Sequence, residues 1–433
     1  MSTALDQDQH TALSDLEEPD GVDRATAVES EAAADHHHGV AIAPAARLRA
    51  FLAATASLVM IFVASSAPVP IYNVYRAQNG VTNADLSLSV VAYFAGTILA
   101  LVSLGRLTNH LGRKPVSLAT LVIMAVGCLV LIHVDGLALL ALGRFIMGVG
   151  VGLASSSLTS YVVDAAPTSP GWLASVASSQ SSQVGLTLGS LVSGVIVQTV
   201  AGARTVSYLV MIALLAVCAL ALLTVPETGM RSPGALASLR PRVGVPASVR
   251  PRLLAAGTAF IVTWAVGGFY QSFIPAITAD QLGSTNAVVV ALVFSAYMLP
   301  GAFGAPLAGL FEAARAQRIG ITVWLAGLWA VLASLVAGNI VAFIAFTVVA
   351  GVGQGIAVAS SMRSLLHGTT LLERAPVMSA TYLTSYGGAM VASLVAGQLS
   401  KVAGLVPIAM GYGVLGIVGA LIVWTRAVSV QEH

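Results

Sequence analysis

Charge is scarce in this 433-residue chain: Asp, Glu, Lys and Arg make up 9% of it, against 57% hydrophobic residues and a mean hydropathy of +0.88. That excludes a soluble globular domain, in which about a quarter of residues are charged. Beyond residue 46 the acids are Asp85, Asp135, Asp164, Glu227, Asp280, Glu312, Glu373 and Glu432, each at the end of an apolar run or in a loop. With no nucleophile, metal-ligand cluster or paired acid and base inside an apolar run, the sequence reads as no enzyme, with no cofactor and no metal. Cysteine is almost absent, and Cys128 and Cys218 both fall in apolar runs with no spacing that pairs them, so no disulfide is expected. Alternation at period two is missing, which excludes a closed β-barrel. No glycine-lysine-serine/threonine phosphate cradle occurs, so ATP is not the expected energy source. No cleavable signal is expected, since residues 1–46 are polar and acidic, and the first apolar run is expected to direct insertion.

What is present is a series of long apolar runs. A helix needs about 20 apolar residues to cross the hydrocarbon core, and the runs predict spans near 50–72, 86–106, 115–134, 137–163, 172–199, 205–225, 253–277, 288–311, 319–337, 340–362, 376–399 and 404–426. The expected fold class is an all-α integral membrane protein with twelve transmembrane helices in two six-helix bundles. With the N-terminus inside, the inner segments collect Arg47, Arg49, Arg106, Arg113, Lys114, Arg231, Arg240, Arg242, Arg250, Arg252, Arg315, Arg318, Arg363, Arg374 and Arg426. The outer segments hold only Arg76, Arg204 and Lys401. This bias predicts a multi-pass protein with both termini cytoplasmic. A composition rich in alanine, glycine and arginine but poor in lysine points to a bacterial plasma membrane.

Residues 1–46 carry ten acids against the single base Arg24 and are expected to be a disordered acidic cytoplasmic tail. The adjacent His36, His37 and His38 make a poor preorganised metal site. Residues 47–226 would form the N-terminal bundle, the proline- and arginine-rich segment 227–252 a cytoplasmic linker, 253–426 the C-terminal bundle and 427–433 a short cytoplasmic tail. The halves look duplicated. Gly148-Val149-Gly150-Val151-Gly152 matches Gly351-Val352-Gly353-Gln354-Gly355 at an offset of 203, and the same offset aligns Gly185 with Gly388 and Ser190–Gly194 with Ser393–Gly397. Glycines at this spacing make smooth helix faces that serve close packing and let the bundles rock.

Between the second and third runs stands the basic hairpin Gly105-Arg106-Leu107-Thr108-Asn109-His110-Leu111-Gly112-Arg113-Lys114. It resembles the loop signature of the major facilitator superfamily, departing from it at Asn109 and His110, where the family usually has an acid and the first base. Gly309, Glu312, Arg315 and Arg318 form a weaker counterpart in the second half. Arg144 is the only base well inside a span, and the surrounding Arg144-Phe145-Ile146-Met147-Gly148-Val149-Gly150 is similar to the fourth-span motif of the superfamily's drug and metabolite efflux permeases. In those carriers the arginine is proposed to take part in proton transfer; the alternative is a structural role, bonding carbonyls of the first span. The resemblance also implies that Asp164 pairs with Arg113 or Lys114 to latch the outward-facing state, and that the protein is a monomer. Coupling and gating are thus expected at Arg144, Asp164, Gly105, Asn109, His110, Gly112, Arg113 and Lys114. His110, His133 and His367 are weaker coupling candidates.

The spans that line the centre in this superfamily offer Ser65, Ser66, Tyr72, Arg144, Gln180, Gln183, Trp264, Tyr270, Gln271, Tyr297, Gln354, Tyr382 and Tyr386 as substrate contacts. A neutral and aromatic lining with one arginine suits an amphipathic or anionic organic molecule better than a metal cation. The leading expectation is a secondary transporter that exports a small organic compound in exchange for protons across the lipid bilayer. The runner-up is an uptake permease or facilitator for a sugar, organic acid or other metabolite; Pro226-Glu227-Thr228 resembles an ending seen in some sugar carriers. Yet no carboxylate sits mid-span, where many proton-coupled carriers keep one, and the fifth span lacks the glycine-proline pair of the antiporter signature. A channel and a nucleic-acid partner are not expected.

Overall fold

The computed structural model describes residues 43–229, 231–239 and 249–428. The acidic tail with His36, His37 and His38, the linker bases Arg240 and Arg242, and residues 429–433 lie outside the described residues.

Among the described residues, ten helices are long and apolar enough to cross a membrane. They are α1 (Pro44–Asn79), α2 (Asn83–Leu104), α3 (Arg113–Ile132), α4 (Leu137–Ala165), α6 (Ala203–Thr224), α7 (Arg250–Asp280), α8 (Ala287–Ala308), α9 (Ala313–Val336), α10 (Ile340–Leu366) and α12 (Leu405–Arg426). Two more long helices, α5 (Leu173–Thr199) and α11 (Leu371–Leu399), occupy the positions of the fifth and eleventh expected spans but are more polar. Their serines and threonines bond back to carbonyls three or four residues earlier, as Ser178, Ser179, Ser181, Thr381, Thr384 and Ser385 do. A hydroxyl satisfied this way sits in an apolar setting without an exposed donor. The chain is thus an all-α, multi-pass membrane protein, since a helix satisfies its own backbone groups where water is absent.

Local chemistry fixes the ends. Pro44 opens α1, where a missing N–H is harmless, and Thr82 and Asp85 form a reciprocal capping box at the start of α2. Thr370 and Glu373 do the same for α11. Within α1, Pro68 and Pro70 delete backbone donors and interrupt the helix after Ser66. The carbonyls around the break are met from neighbouring helices: Ala67 O accepts from Ser193 Oγ at 2.7 Å, and Ser65 O accepts from Arg144 Nη1 at 2.7 Å.

Two large apolar cores form. One draws on residues 50–225 with Tyr386 and Ala389; the other draws on residues 259–423 with Val69. The internal repeat is visible in the packing. A Cβ on Gly148 would lie 2.0 Å from Tyr93 O on α2, and a Cβ on Gly351 would lie 2.7 Å from Tyr297 O on α8. Any larger side chain there would drive the helices apart, so the glycine pair read from the sequence is required by backbone approach. Gly194 of α5 meets Ala287 and Ala291 of α8, and Gly397 of α11 meets Ser87 of α2. These reciprocal crossings join the first six helices to the last six.

Polar bridges between the two sets lie from mid-helix to the Asp280 end. Arg76 and Asp280 form an ion pair at 2.6 Å, Asn73 Nδ2 donates to Pro275 O at 2.8 Å, Ser87 Oγ donates to Ser393 O at 2.6 Å, and Ala287 N donates to Gln198 Oε1 at 3.0 Å. A groove of about 1060 Å³ flanks the ion pair, lined in part by Asn73, Arg76, Asp85 and Lys401. At the opposite end Ser175, Val176 and Ser179 in the first turns of α5 are exposed.

Candidate functional site

Arg144 lies two turns into α4 and is fully buried. Its guanidinium gathers three other helices. Nη1 donates to Ser65 O of α1, Nη2 donates to Gln271 Oε1 of α7 at 2.7 Å, and the group stands 4.5 Å from the ring centroid of Tyr93 on α2. The remaining donor, Nε, is buried without an acceptor. Among the described residues the ion pairs are Arg76–Asp280 and Arg113–Asp164, so no carboxylate neutralises Arg144. Its charge is held by a carbonyl, an amide and an aromatic face alone. Removing a charge from water into a span costs several kcal/mol by the order of magnitude for buried ions, and here an unsatisfied donor adds to it.

An aromatic wall continues from this point. Tyr93 and Phe94 lie 5.5 Å apart by ring centroids, Phe94 and Tyr386 5.8 Å, Tyr386 and Trp264 4.8 Å edge-on, and Tyr382 and Tyr386 6.3 Å. Trp264 and Tyr382 are only partly buried. Gln354 keeps a buried Oε1 without a partner, and Gln183 Nε2 would meet a Cβ on Gly301 at 2.7 Å. The structure therefore brings Arg144, the Ser65 carbonyl, Gln271, Trp264, Tyr382 and Tyr386 into one neighbourhood.

Other expected contacts are occupied elsewhere. Tyr72 is fully buried with its hydroxyl 3.3 Å from Ser89 Oγ. Tyr270 stacks on Tyr297 at 4.6 Å and bonds Thr347 Oγ1 at 2.9 Å, while Tyr297 donates to Thr263 O and accepts from Trp324 Nε1. Ser66 bonds Val63 O and packs where a Cβ on Gly189 would be. Gln180 has only a long contact to Ser179 Oγ at 3.4 Å. Tyr93 and Phe94 were not among the expected contacts. Their signal was weak, two aromatics in the middle of an apolar run.

The basic hairpin forms a second constellation. Arg113 Nε meets Asp164 Oδ2 at 2.9 Å, and its Nη1 donates to Asn109 Oδ1 at 2.7 Å, so Asn109 supplies a neutral acceptor where the family has an acid. Arg47 Nη2 reaches the Asp164 carbonyl at 3.5 Å. Lys114 Nζ donates to the Leu223 and Val225 carbonyls at the end of α6. His110 Nδ1 faces Ser232 Oγ at 2.9 Å, and Gly105 follows α2 directly, in a turn with right-handed backbone angles. Glu227, which the sequence placed only in a short tripeptide, is central here. Its carboxylate accepts from the backbone N–H of Arg113 at 2.8 Å, Lys114 at 3.1 Å, Thr228 at 3.0 Å and Gly229 at 2.9 Å. It thereby caps α3 from outside the helix and sits on the positive end of its dipole. Gly112 has φ +99°, and a Cβ on it would lie 2.6 Å from Glu227 Oε2, so glycine serves both the turn and the carboxylate. Tyr161 also donates to Pro226 O, tying α4 to the same segment.

A membrane-spanning helical protein with one buried, carboxylate-free arginine at the meeting of four helices and a basic loop latched to a neighbouring acid is built as a small-molecule carrier. The family model of the Major Facilitator Superfamily matches residues 54–312, and the chain belongs to that superfamily. Its work is transport of a small molecule by alternating access, and the reading of no enzyme agrees with this. Among solved structures, the chain is similar to the partially occluded inward-open xylose transporter XylE of E. coli, with a TM-score of 0.69 at 14% identity over 90% of this chain and 99% of that one. It is similar also to the crystal structure of a D-xylose-proton symporter, with a TM-score of 0.68 at 15% identity over 89% and 98%. These likenesses concern the fold. A multidrug resistance protein, MdtL of Klebsiella pneumoniae (strain 342), is 34% identical over 73 residues, 17% of this chain and 19% of that relative's length.

Proposed function

We propose that the protein carries a small oxygen-rich organic molecule, a sugar or an organic acid, and that it works as an uptake permease or facilitator. The observation that carries this reading is the buried Arg144 with its unsatisfied Nε, beside Gln271 and the wall of Tyr93, Phe94, Trp264 and Tyr386. A hydroxyl, carbonyl or carboxylate oxygen would meet the free donor, the neutral amides would read further hydroxyls, and the aromatic faces would cover the apolar side of the cargo. A cationic compound would be repelled by an arginine that has no counter-ion. The fold likeness to xylose carriers is in keeping with this class. We place the helices in two six-helix bundles, N-terminal and C-terminal, in the plasma membrane as a monomer, with both termini cytoplasmic. On that topology the bridges around Arg76–Asp280 close the outer side, and Arg113, Asp164 and Glu227 form a cytoplasmic latch.

Proton-driven export is the second reading, favoured by the short likeness to the Klebsiella multidrug resistance protein. Proteoliposomes with an interior pH dye and labelled sugars, organic acids and amphipathic amines separate the two. The expected result is counterflow of a sugar or organic acid and none of an amine. Amine-dependent collapse of an imposed proton gradient, without flux of any sugar or acid, would replace uptake by export.

A further inference from the structure

Among the described residues, the second-half counterpart of the basic hairpin holds two arginines without a carboxylate partner. A groove of about 400 Å³ runs between the start of α9 and the end of α12, lined by Arg315, Arg318, Ile319, Thr322, Val323 and Trp424. Trp424 Nε1 donates to Thr322 Oγ1 at 2.9 Å, which fixes the indole across the groove, half-exposed. Arg318 stands 5.8 Å from the Trp424 ring centroid and donates from Nη2 to Ala427 O at 3.0 Å, while its Nε is buried without an acceptor. Arg315 is exposed and lies 5.6 Å from the Phe311 ring centroid. Glu312, three residues before Arg315, forms no ion pair with either arginine.

We infer that this groove binds an anionic glycerophospholipid of the bilayer leaflet at the Arg113 end of the helices. Three observations support a lipid over a soluble anion. First, depth: Arg315 and Arg318 fall within the first two turns of α9 and Trp424 within the last turn of α12, the level of the headgroups, where arginine and tryptophan are both favoured. Second, charge: two guanidiniums with spare donors match one phosphodiester, whose oxygens accept paired N–H bonds. Third, continuity: Val414, Val418 and Leu421 on α12 are exposed apolar side chains at helical spacing leading away from Trp424, a track for an acyl chain. A free phosphate would use the arginines and leave the track empty.

The contrast with the first half sharpens the assignment. There Arg113 pairs with Asp164, and Lys114 is held by the carbonyls of Leu223 and Val225, so the protein answers its own charge. Arg318, 204 residues after Lys114, keeps one such carbonyl bond, and the exposed Arg315 beside it keeps none.

The test uses the full-length protein in detergent. Native mass spectrometry counts retained lipid after titration with phosphatidylglycerol or phosphatidylcholine, and thermal unfolding is followed in the same mixtures. The wild type is expected to prefer phosphatidylglycerol, and Arg315→Gln and Arg318→Gln are each expected to weaken its binding about fivefold, from the strength of one basic residue near an anionic lipid surface. Arg318→Lys, which keeps the charge, should retain most of the preference, and Arg374→Gln, a base on α11, should retain all of it. Equal retention of the two lipids by the wild type, or an unchanged preference in Arg315→Gln, overturns the inference. So does inorganic phosphate stabilising the wild type as well as phosphatidylglycerol does. Arg315 makes no hydrogen bond, so its variant decides the matter even if Arg318→Gln fails to fold.

Discussion

The two halves of the molecule share a frame and differ in chemistry. Gly148 against the Tyr93 carbonyl and Gly351 against the Tyr297 carbonyl are the same contact twice. Yet 203 residues after Arg144 stands Thr347, which bonds Tyr270 at 2.9 Å and Phe343 O at 2.7 Å. Tyr93 faces a guanidinium; Tyr297, 204 residues on, faces Tyr270 and Trp324. At the latch, Asp164 corresponds to His367. At the repeat positions of Arg144 and Tyr93 the second half thus has neutral, hydrogen-bonded side chains, Thr347 and Tyr297. Duplicated backbone approach is what the fold needs twice, whereas the buried guanidinium on α4 has no counterpart on α10.

Replacing Arg144 is the strongest way to break that asymmetry. Arg144→Ala should leave the protein inserted and folded but lower transport at least a hundredfold, because it removes the one donor cluster shared by α1, α4 and α7; flux in proteoliposomes checks this. Arg144→Lys should recover part of the activity, since a single ammonium reaches only one of the two acceptors. Full flux in Arg144→Ala would return the residue to a packing role like that of Thr347.

The latch should respond less. Glu227→Ala strands the backbone donors of Arg113, Lys114, Thr228 and Gly229, with an expected loss of about 1–3 kcal/mol, visible as earlier thermal unfolding in detergent. Asp164→Asn and Arg113→Ala should each shift the carrier toward the same conformation, read by site-directed fluorescence, and the double variant should add little beyond either alone. Additive effects would separate the two residues.

Smallest is the ion pair at the far end. Arg76 and Asp280 are both partly exposed, and such pairs contribute about 0–1 kcal/mol. Arg76→Ala should leave stability almost unchanged while raising the fraction of molecules open at the Asp280 end, measured by accessibility of a cysteine placed at Ala77. An unchanged accessibility would assign closure to the reciprocal contacts of Gly194 and Gly397 instead.

Much of this is legible in the sequence. Apolar run length gave the helices, because water-free surroundings leave few other backbone conformations. Arg144 stood out as a lone base in a span, and Asp164 as an acid within reach of Arg113. The tyrosines misled in a specific way. Tyr72, Tyr270 and Tyr297 have the polarity of lining residues, but each hydroxyl bonds a neighbouring helix, and sequence polarity does not give the rotation of a helix about its axis. Glu227 was hidden for another reason: its partners are backbone N–H groups, which no residue pattern marks.

The break in α1 has a consequence for how such a carrier changes over generations. Arg144 is anchored on the carbonyl of Ser65 and not on its hydroxyl. A backbone acceptor is present whatever side chain stands at that position, so substitution at Ser65 cannot erase the anchor. The surrounding aromatics and amides are then free to drift toward a new cargo while the guanidinium keeps its seat, which makes selectivity the evolvable part of the molecule and its central charge the heritable one.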